Sequence, residues 1–391
     1  MQDLTTLPLH EVLLCNGYTL DRTKSSRLNP VLRNENGDKL VISKKGENYL
    51  YFNTNSNLDR GNILSFARIR NLDVKTLIQN YDANIELAKE YKHNFFTTTK
   101  DPNAILNEFN ALKTLSQEDI DKNILFKARG FDDKYMSAFA NVIKQDERGN
   151  IVIPNYKLAD DEFGESFKDK LIYVCGYTKR LNYPITKDRN GIDLEKPLKN
   201  LQKGSKGLEA LSINKHGKEI NSIIVSESMI DSLSLGQLKG FDPQATMFLS
   251  TNGAFNVDSL QKTLSFIINK TPNAKITLAF DNDKRGRTFT QSLQDYILKT
   301  TKKLPNIYKP FAKDCNDDLK IYNITGLKTL NEEAYQEWAY SKIIKYKMTK
   351  DTQTRANLLH IFRKLDSLKP LNEENKQTFN ATRKHASIKG L

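Results

Sequence analysis

Cysteine is scarce: Cys15, Cys175 and Cys315 are the three in 391 residues. They are odd in number, widely spaced and never arranged as CxxC, which leaves a zinc ribbon or a disulfide framework without support. A reducing cytoplasm suits such usage. Long apolar runs are lacking too. None approaches the roughly 20 residues that span a bilayer, so no membrane segment is expected. Residues 1–18 have neither a basic leading stretch nor a long apolar centre, so a secretory leader is not expected. A Walker A phosphate loop is absent as well. Acid is the minority charge: 47 Asp+Glu face 60 Lys+Arg, a net +13 with a pI near 9.3. That excess suits a polyanionic partner, because each basic group that neutralises a phosphate releases a condensed counterion. A surface merely rich in lysine gives the same balance.

What remains is ordinary for a globular chain: 38% hydrophobic and 27% charged residues, over a length that suits two or three domains. A short helical pattern covers residues 7–17. Alternating segments at 39–43 and 49–52, split by Lys44-Lys-Gly-Glu-Asn48, predict a β-hairpin. A turn at 57–61 leads into a helix at 63–69. Residues 71–145 read as mainly helical, with a helix start at Asp101-Pro102. Short strands follow at 151–154 and 171–175, then a polar stretch from 186 to 207. From 221 strands and helices alternate: strands at 223–225, 245–249, 275–280 and 306–308, helices at 227–238, 258–268 and 287–299. Alternation of this kind implies a parallel sheet with right-handed crossovers. Residues beyond 327 are helical and polar, with a basic end.

Open parallel sheets collect ligands at the carboxyl ends of their strands. Three acids stand there. Glu227 follows the strand at 223–225. Asp281 and Asp283 follow the strand at 275–280, and the one-residue spacing lets both point the same way. Clustered carboxylates are costly to bury without compensation, and a bound Mg²⁺ or Mn²⁺ supplies it. Such an ion can position a phosphate, neutralise its developing charge and activate an attacking oxygen. Asp-x-Asp after a strand is by itself also an ordinary turn or helix cap. The joint pattern is more specific, because Glu ends one strand, Asp-x-Asp ends another, and the basic Lys284, Arg285 and Arg287 follow directly. These three are the candidates to contact phosphate, or else a solvated basic turn.

Residues 221–320 resemble the Toprim domain of bacterial and phage primases, topoisomerases and related nucleases. Ile223-Ile-Val-Ser-Glu-Ser-Met-Ile-Asp-Ser-Leu233 is similar to the family's strand–Glu–helix motif. Leu278-Ala-Phe-Asp-Asn-Asp-Lys-Arg-Gly286 is similar to the primase form of its Asp-x-Asp motif. Lys313-Asp-Cys-Asn-Asp317 resembles the segment that closes the domain in primase-like members. The resemblance implies that Glu227, Asp281 and Asp283 are catalytic and hold Mg²⁺ or Mn²⁺, with Asp314 and Asn316 or Asp317 helping to hold a second ion. Asp231 supports the site, orienting Glu227 or basic neighbours, or is a solvated helix residue. Lys313 joins the phosphate-binding candidates. Ser228 stands where many members carry Gly. Residues 150–215 are similar to the strand-rich segment before Toprim in primase cores. There Lys203 and Lys206, in a basic Gly-rich loop, grip a nucleoside triphosphate or template, or form a plain linker. Residues 9–70 resemble the zinc-binding domain of replicative primases, through Asn29-Pro30, the hairpin and Asp59-Arg-Gly61-Asn-Ile-Leu-Ser-Phe66. Non-ligands such as Asn53 and Asn57 occupy the ligand places, so no zinc is expected. An unrelated hairpin domain fits the same residues.

The expected chain is therefore α+β and multidomain. It comprises a zinc-less module (1–95), a helical connector (96–148), a strand-rich segment (149–215), a Toprim domain (216–325) and a basic helical region (326–391). The Toprim sheet is expected to hold about four parallel strands flanked by helices. The function implied is primer synthesis on single-stranded DNA from nucleoside triphosphates, in the cytoplasm, for a replication system or mobile element. A helicase or another replication or transfer protein is the implied partner. The missing Walker A motif argues against a fused helicase and against ATPase-linked Toprim nucleases. Strand breakage through a tyrosine nucleophile, with Tyr296, Tyr308 and Tyr322 nearest in sequence, is the alternative. A non-catalytic DNA-binding accessory protein is the third reading.

Overall fold

The computed structural model describes residues 3–26, 28–84, 103–159, 172–188, 191–214, 219–253 and 258–388. The expected helix start at Asp101-Pro102 lies outside them. The chain divides into two compact units, 1–101 and 102–391.

The first unit is a five-stranded antiparallel sheet in sequential order. Its strands are β1 (Thr19–Leu20), β2 (Val31–Arg33), β3 (Lys39–Lys45), β4 (Asn48–Asn53) and β5 (Ser56–Gly61). Helices α1 (Leu9–Leu14), α2 (Ile63–Ile69) and α3 (Val74–Ala83) supply the rest of the core. The hairpin alternates as its sequence requires. Leu40, Ile42 and Tyr51 are buried with Leu13 and Phe66, while Phe52 faces out at 47% exposure. The face of this hairpin that carries Tyr49 and Tyr51 is therefore core.

One polar cluster is built into this unit. The Arg70 guanidinium bonds Asp38 through Nε and Nη2, and Asp59 through Nη1 and Nη2, at 2.7–3.0 Å. Asn53 donates to both carboxylates, and Tyr51 donates to Asp59 at 2.7 Å. Arg70 also lies 4.3 Å above the Phe66 ring. Burial works to raise the Asp59 carboxyl. The bonds from Arg70, Asn53 and Tyr51 outweigh it and hold that group at about 2.

The second unit centres on a ten-stranded mixed sheet. Its antiparallel part contains β6 (Lys113–Thr114), β7 (Lys144–Gln145), β8 (Ile151–Leu158), β9 (Ile172–Lys187), β10 (Asp193–Gly204) and β11 (Leu208–Leu211). Its parallel part runs β13 (Thr246–Ser250), β12 (Ser222–Ser226), β14 (Lys275–Ala279) and β15 (Asn306–Ile307) in spatial order. β11 joins the parts by pairing antiparallel with both β8 and β13.

Helices cover both faces of the parallel strands, which is why the middle of those strands is mostly apolar on both sides. Ile224, Phe248 and Ala279 face one core with Met229 and Leu233 of α8 (Met229–Lys239) and Leu319 of α11 (Cys315–Thr325). Ile223, Val225, Leu249, Ile276 and Leu278 face the other. There they meet α9 (Asp258–Lys270) and α10 (Lys284–Thr301) through Leu264, Ile268, Leu293 and Ile297. Helices α4 (Ala104–Ala111), α5 (Gln117–Lys122), α6 (Ile124–Arg129) and α7 (Asp133–Ser137) precede the sheet in sequence. Helices α12 (Glu332–Met348), α13 (Thr352–Asp366) and α14 (Glu373–Ile388) follow it and share a core of Tyr335, Ile343, Phe362 and Leu365.

The stretch from 186 to 207 differs from its sequence reading. Lys203 and Gly204 end strand β10, which pairs with β9 as a long ribbon, rather than forming a loop. Most of β10 is exposed, so neither of its faces carries the apolar alternation by which a strand is recognised. No helix among the described residues is long and apolar enough to cross a membrane.

Candidate functional site

Parallel register lines up the strand ends. Ser226 of β12 pairs with Ser250 of β13 on one side and Ala279 of β14 on the other. The next residues along each strand therefore leave the sheet side by side, about 5 Å apart between neighbouring strands. Glu227 leaves from β12, and Phe280 then Asp281 leave from β14. Glu227 and Asp281 are both half-buried. Asp283 is exposed and caps α10, its Oδ1 accepting from the Gly286 N–H at 2.7 Å.

A second acid turn closes on the first. The Asn282 N–H donates to the Lys313 carbonyl at 2.7 Å, which docks the turn before α11 against the turn before α10. Asp314 caps α11 by accepting from the Asp317 N–H at 2.8 Å. Burial, then the Glu227 and Asp314 charges, push the Asp281 carboxyl up to about 6. The Lys313 ammonium, 4.0 Å away, partly opposes that rise. Asp314 is raised as well, by burial and by the Asp317 charge. The strand ends thus hold a set of hard oxygen donors whose mutual repulsion a divalent cation would relieve. As the side chains stand, no three Asp, Glu, His or Cys groups among the described residues converge closely enough to enclose an ion.

Gly286 is a condition of this geometry. A Cβ there would lie 2.0 Å from the Asp281 carbonyl oxygen and 3.0 Å from its amide nitrogen. The first turn of α10 can approach the Asp281 backbone only without a side chain at 286. Gly286→Ala is expected to push that backbone away and to cost about 1–3 kcal/mol, the usual range for overpacking. A denaturant melt measures the cost.

Asp231 is buried within the fold, not a solvated helix residue. It accepts from the Ser228 hydroxyl and from the Asn316 N–H at 3.2 Å. Burial first, then the Asp314 charge, raise it to about 7. Asn316 is 1% exposed. Its amide donates to the Arg129 carbonyl at 2.8 Å and to Ser234 Oγ at 3.0 Å, and its oxygen accepts from Arg129. These bonds tie α11 to α8 and α6. The side chain's polar atoms are engaged with protein partners.

The basic candidates separate. Arg285 reaches the Gly253 carbonyl at 3.2 Å and stacks on Phe289. Arg287 donates to the Asn282 carbonyl at 3.5 Å, and Lys284 is exposed beside them. Lys206 shares a cleft of about 340 Å³ with Glu227, Thr178, Arg180, Gln202 and Asn252. Lys203 instead pairs with Glu108 at 3.3 Å.

That cleft exposes features the sequence reading missed. Glu209 is fully buried and receives both Arg180 bonds, at 2.8 and 2.9 Å, plus one from Ser250 Oγ at 2.6 Å. Asn252 donates to Thr178 at 2.8 Å and to Gln202 at 3.1 Å. Together these bonds fasten the antiparallel strands to the turn after β13, beside Glu227. The available signal was a lone Glu in the apolar strand Leu208-Glu-Ala-Leu211. Arg180→Ala strands that carboxylate in the interior. The expected loss is about 3–5 kcal/mol, the cost of breaking one side of a buried ion pair, read as a lower unfolding midpoint.

Comparison with known proteins bears on this strand-end arrangement. The Toprim-like family model matches residues 224–319. That segment is a Toprim-like domain. It runs from β12 into α11, so Glu227, Asp231, Asp281, Asp283, Asp314 and Asn316 all fall within it. No curated protein matches the chain. Among solved structures the chain is similar to the primase fragment of the bacteriophage T7 primase-helicase protein. Identity is 18%, over 51% of this chain and 69% of that one, with a TM-score of 0.29. It is also similar to a chain in the bacteriophage T7 lagging-strand DNA polymerase complex with primase domains bound to an RNA/DNA hybrid and dTTP. Identity there is 17%, over 56% of this chain and 90% of that one, with a TM-score of 0.31. Superposition on both is poor.

Proposed function

We propose that the Toprim-like domain performs metal-dependent phosphoryl transfer on nucleic acid, and that the product is a primer on single-stranded DNA. The observation that carries this reading is the convergence of Glu227 with Asp281 at neighbouring strand ends, with Asp281 raised by burial and by the charges around it. Glu227, Asp281 and Asp283 would hold Mg²⁺ or Mn²⁺, with Asp314 as an outer member. Such an ion neutralises charge on the transferring phosphate and lowers the pKa of the attacking hydroxyl.

The chain's own residues supply the rest. Asp283 can cap α10 with one oxygen and leave the other for an ion. Lys313 lies 4.0 Å from Asp281, and Lys284, Arg285 and Arg287 stand in the first turn of the helix that Asp283 caps, so all four would serve a triphosphate held at the acids. Lys206 and Arg180 line the cleft beside Glu227, which suits a nucleotide or template segment. Lys203, engaged with Glu108, would act only if that pair opens. The net +13 charge fits DNA as the partner. The zinc-less primase-like module, the helicase or other replication or transfer partner, the mobile-element role and the cytoplasmic setting all extend this reading.

Strand breakage needs a tyrosine nucleophile near the acids. Of the three nearest in sequence, Tyr308 donates its hydroxyl to Asp318 at 2.7 Å, and burial raises its pKa. Tyr296 and Tyr322 pack partly buried against the two cores. These contacts favour synthesis over breakage. One experiment separates the readings. The chain is incubated with single-stranded DNA, nucleoside triphosphates and Mn²⁺, beside a supercoiled plasmid. New oligonucleotides that disappear in Asp281→Ala support primer synthesis. Nicked or relaxed plasmid lost in the same variant means breakage. Salt-sensitive binding without either product means a non-catalytic DNA-binding protein.

A further inference from the structure

Helix α12 buries one side and leaves the other in water. Tyr335, Ala339, Ile343 and Tyr346 pack into the core it shares with α13 and α14. On the opposite side Tyr340, Ile344 and Met348 are 49%, 37% and 77% exposed. They recur at i, i+4 and i+8, so they form one continuous apolar stripe. Single exposed apolar residues are ordinary, but a contiguous stripe marks an interaction surface.

Charge along this side is polarised. Glu337 is exposed toward the start of the helix and Lys347 toward its end. Neither Glu337 nor Lys347 makes an ion pair among the described residues. Glu332 and Lys342, by contrast, are engaged within the chain, with Lys369 and the Trp338 ring.

We infer that this face of α12 docks against the same face of a second copy of the chain, with the two helices antiparallel. Antiparallel pairing brings the acidic half of one helix to the basic half of the other. Parallel pairing would set like charges together. The contact is isologous, so each pairing occurs twice about a two-fold axis. Seating Tyr340 of one copy on Ile344 of the other places Glu337 against Lys347 across the axis, since the summed residue numbers of both pairs agree. A one-turn slip loses that match, so charge sets the register while the stripe supplies apolar contact. About three turns of helix per copy bury less than the roughly 1,600 Å² of a standard interface. The dimer is therefore weak, concentration-dependent and, because its ion pairs are at the rim, salt-sensitive.

Sedimentation velocity on the full chain tests this, across a concentration series at low and high salt. Wild type is expected to shift from monomer to dimer with concentration, and less so in high salt. Glu337→Lys and Lys347→Glu are each expected to abolish the dimer, and an equimolar mixture of the two variants to restore it, because each new charge meets its opposite across the axis. Ile344→Asp is expected to abolish it as well, with circular dichroism unchanged. A wild type that stays monomeric throughout would overturn the inference, and would leave the stripe for a different protein partner. So would a dimer indifferent to both charge reversals, or a mixture that stays monomeric.

Discussion

Asp281→Asn should lower metal-dependent turnover about a hundredfold to a thousandfold, the usual loss when a preorganised electrostatic stabiliser is removed. The same variant should unfold at a higher temperature than wild type when no divalent ion is present. Both outcomes have one cause. Asp281 sits half-buried among like charges, and burial with Glu227 and Asp314 raises it to about 6. An amide of the same shape removes that repulsion together with the ligand. Added Mg²⁺ or Mn²⁺ should raise the melting temperature of wild type through linkage, and leave that of the variant nearly unchanged. Scanning fluorimetry with and without chelator reads both effects. A variant less stable than wild type in chelator would mean that the carboxylate is a satisfied structural group. Asp283→Asn is the companion test. Asn also caps helices well, so it keeps the cap on α10 while weakening a ligand.

Arg70→Ala should cost the N-terminal unit about 3–5 kcal/mol, because it leaves the buried Asp59 and the half-buried Asp38 without their cation. Limited proteolysis or amide exchange over residues 3–84 should report the loss, with exchange in the Toprim-like domain unchanged. Wild type should show a matching acid sensitivity. Asp59 is depressed from 3.8 to about 2, so its contribution is fully present above about pH 4 and is lost as pH falls toward 2. The cluster braces β4, β5 and α2 through hydrogen bonds among Asn53, Tyr51, Asp59 and Arg70. Chelators should therefore leave this unit's stability unchanged.

How much was legible in the sequence follows from burial. The parallel strands stood out because helices cover both of their faces, so 223–225 is wholly apolar and 245–249 and 275–280 are mostly so, broken only by Thr246, Lys275 and Thr277. The acids were visible because strand ends are where such a sheet exposes polar groups. Ribbon β9–β10 was obscure beyond Asn182 because water bathes both of its faces there. The Arg180–Glu209 pair was hidden for another reason. Its members lie on strands that meet only through the register of β8, β9 and β11, and register is a tertiary property. Asp231 and Asn316 were legible as polar residues near the acids. Their mutual bond depends on how α8 and α11 pack, which spacing does not encode.

We propose that Glu227, Asp281 and Asp283 share a divalent ion at the strand ends. Titration of the chain with Mn²⁺, followed by the loss of free-ion electron paramagnetic resonance signal, tests it without any assay of turnover. Wild type is expected to show a site that Glu227→Gln and Asp281→Asn each weaken about tenfold or more, at least about 1.4 kcal/mol. Lys206→Met, which removes an exposed neighbouring charge but no ligand, is expected to leave Mn²⁺ bound. Equal Mn²⁺ affinity in wild type, Glu227→Gln and Asp281→Asn would contradict it.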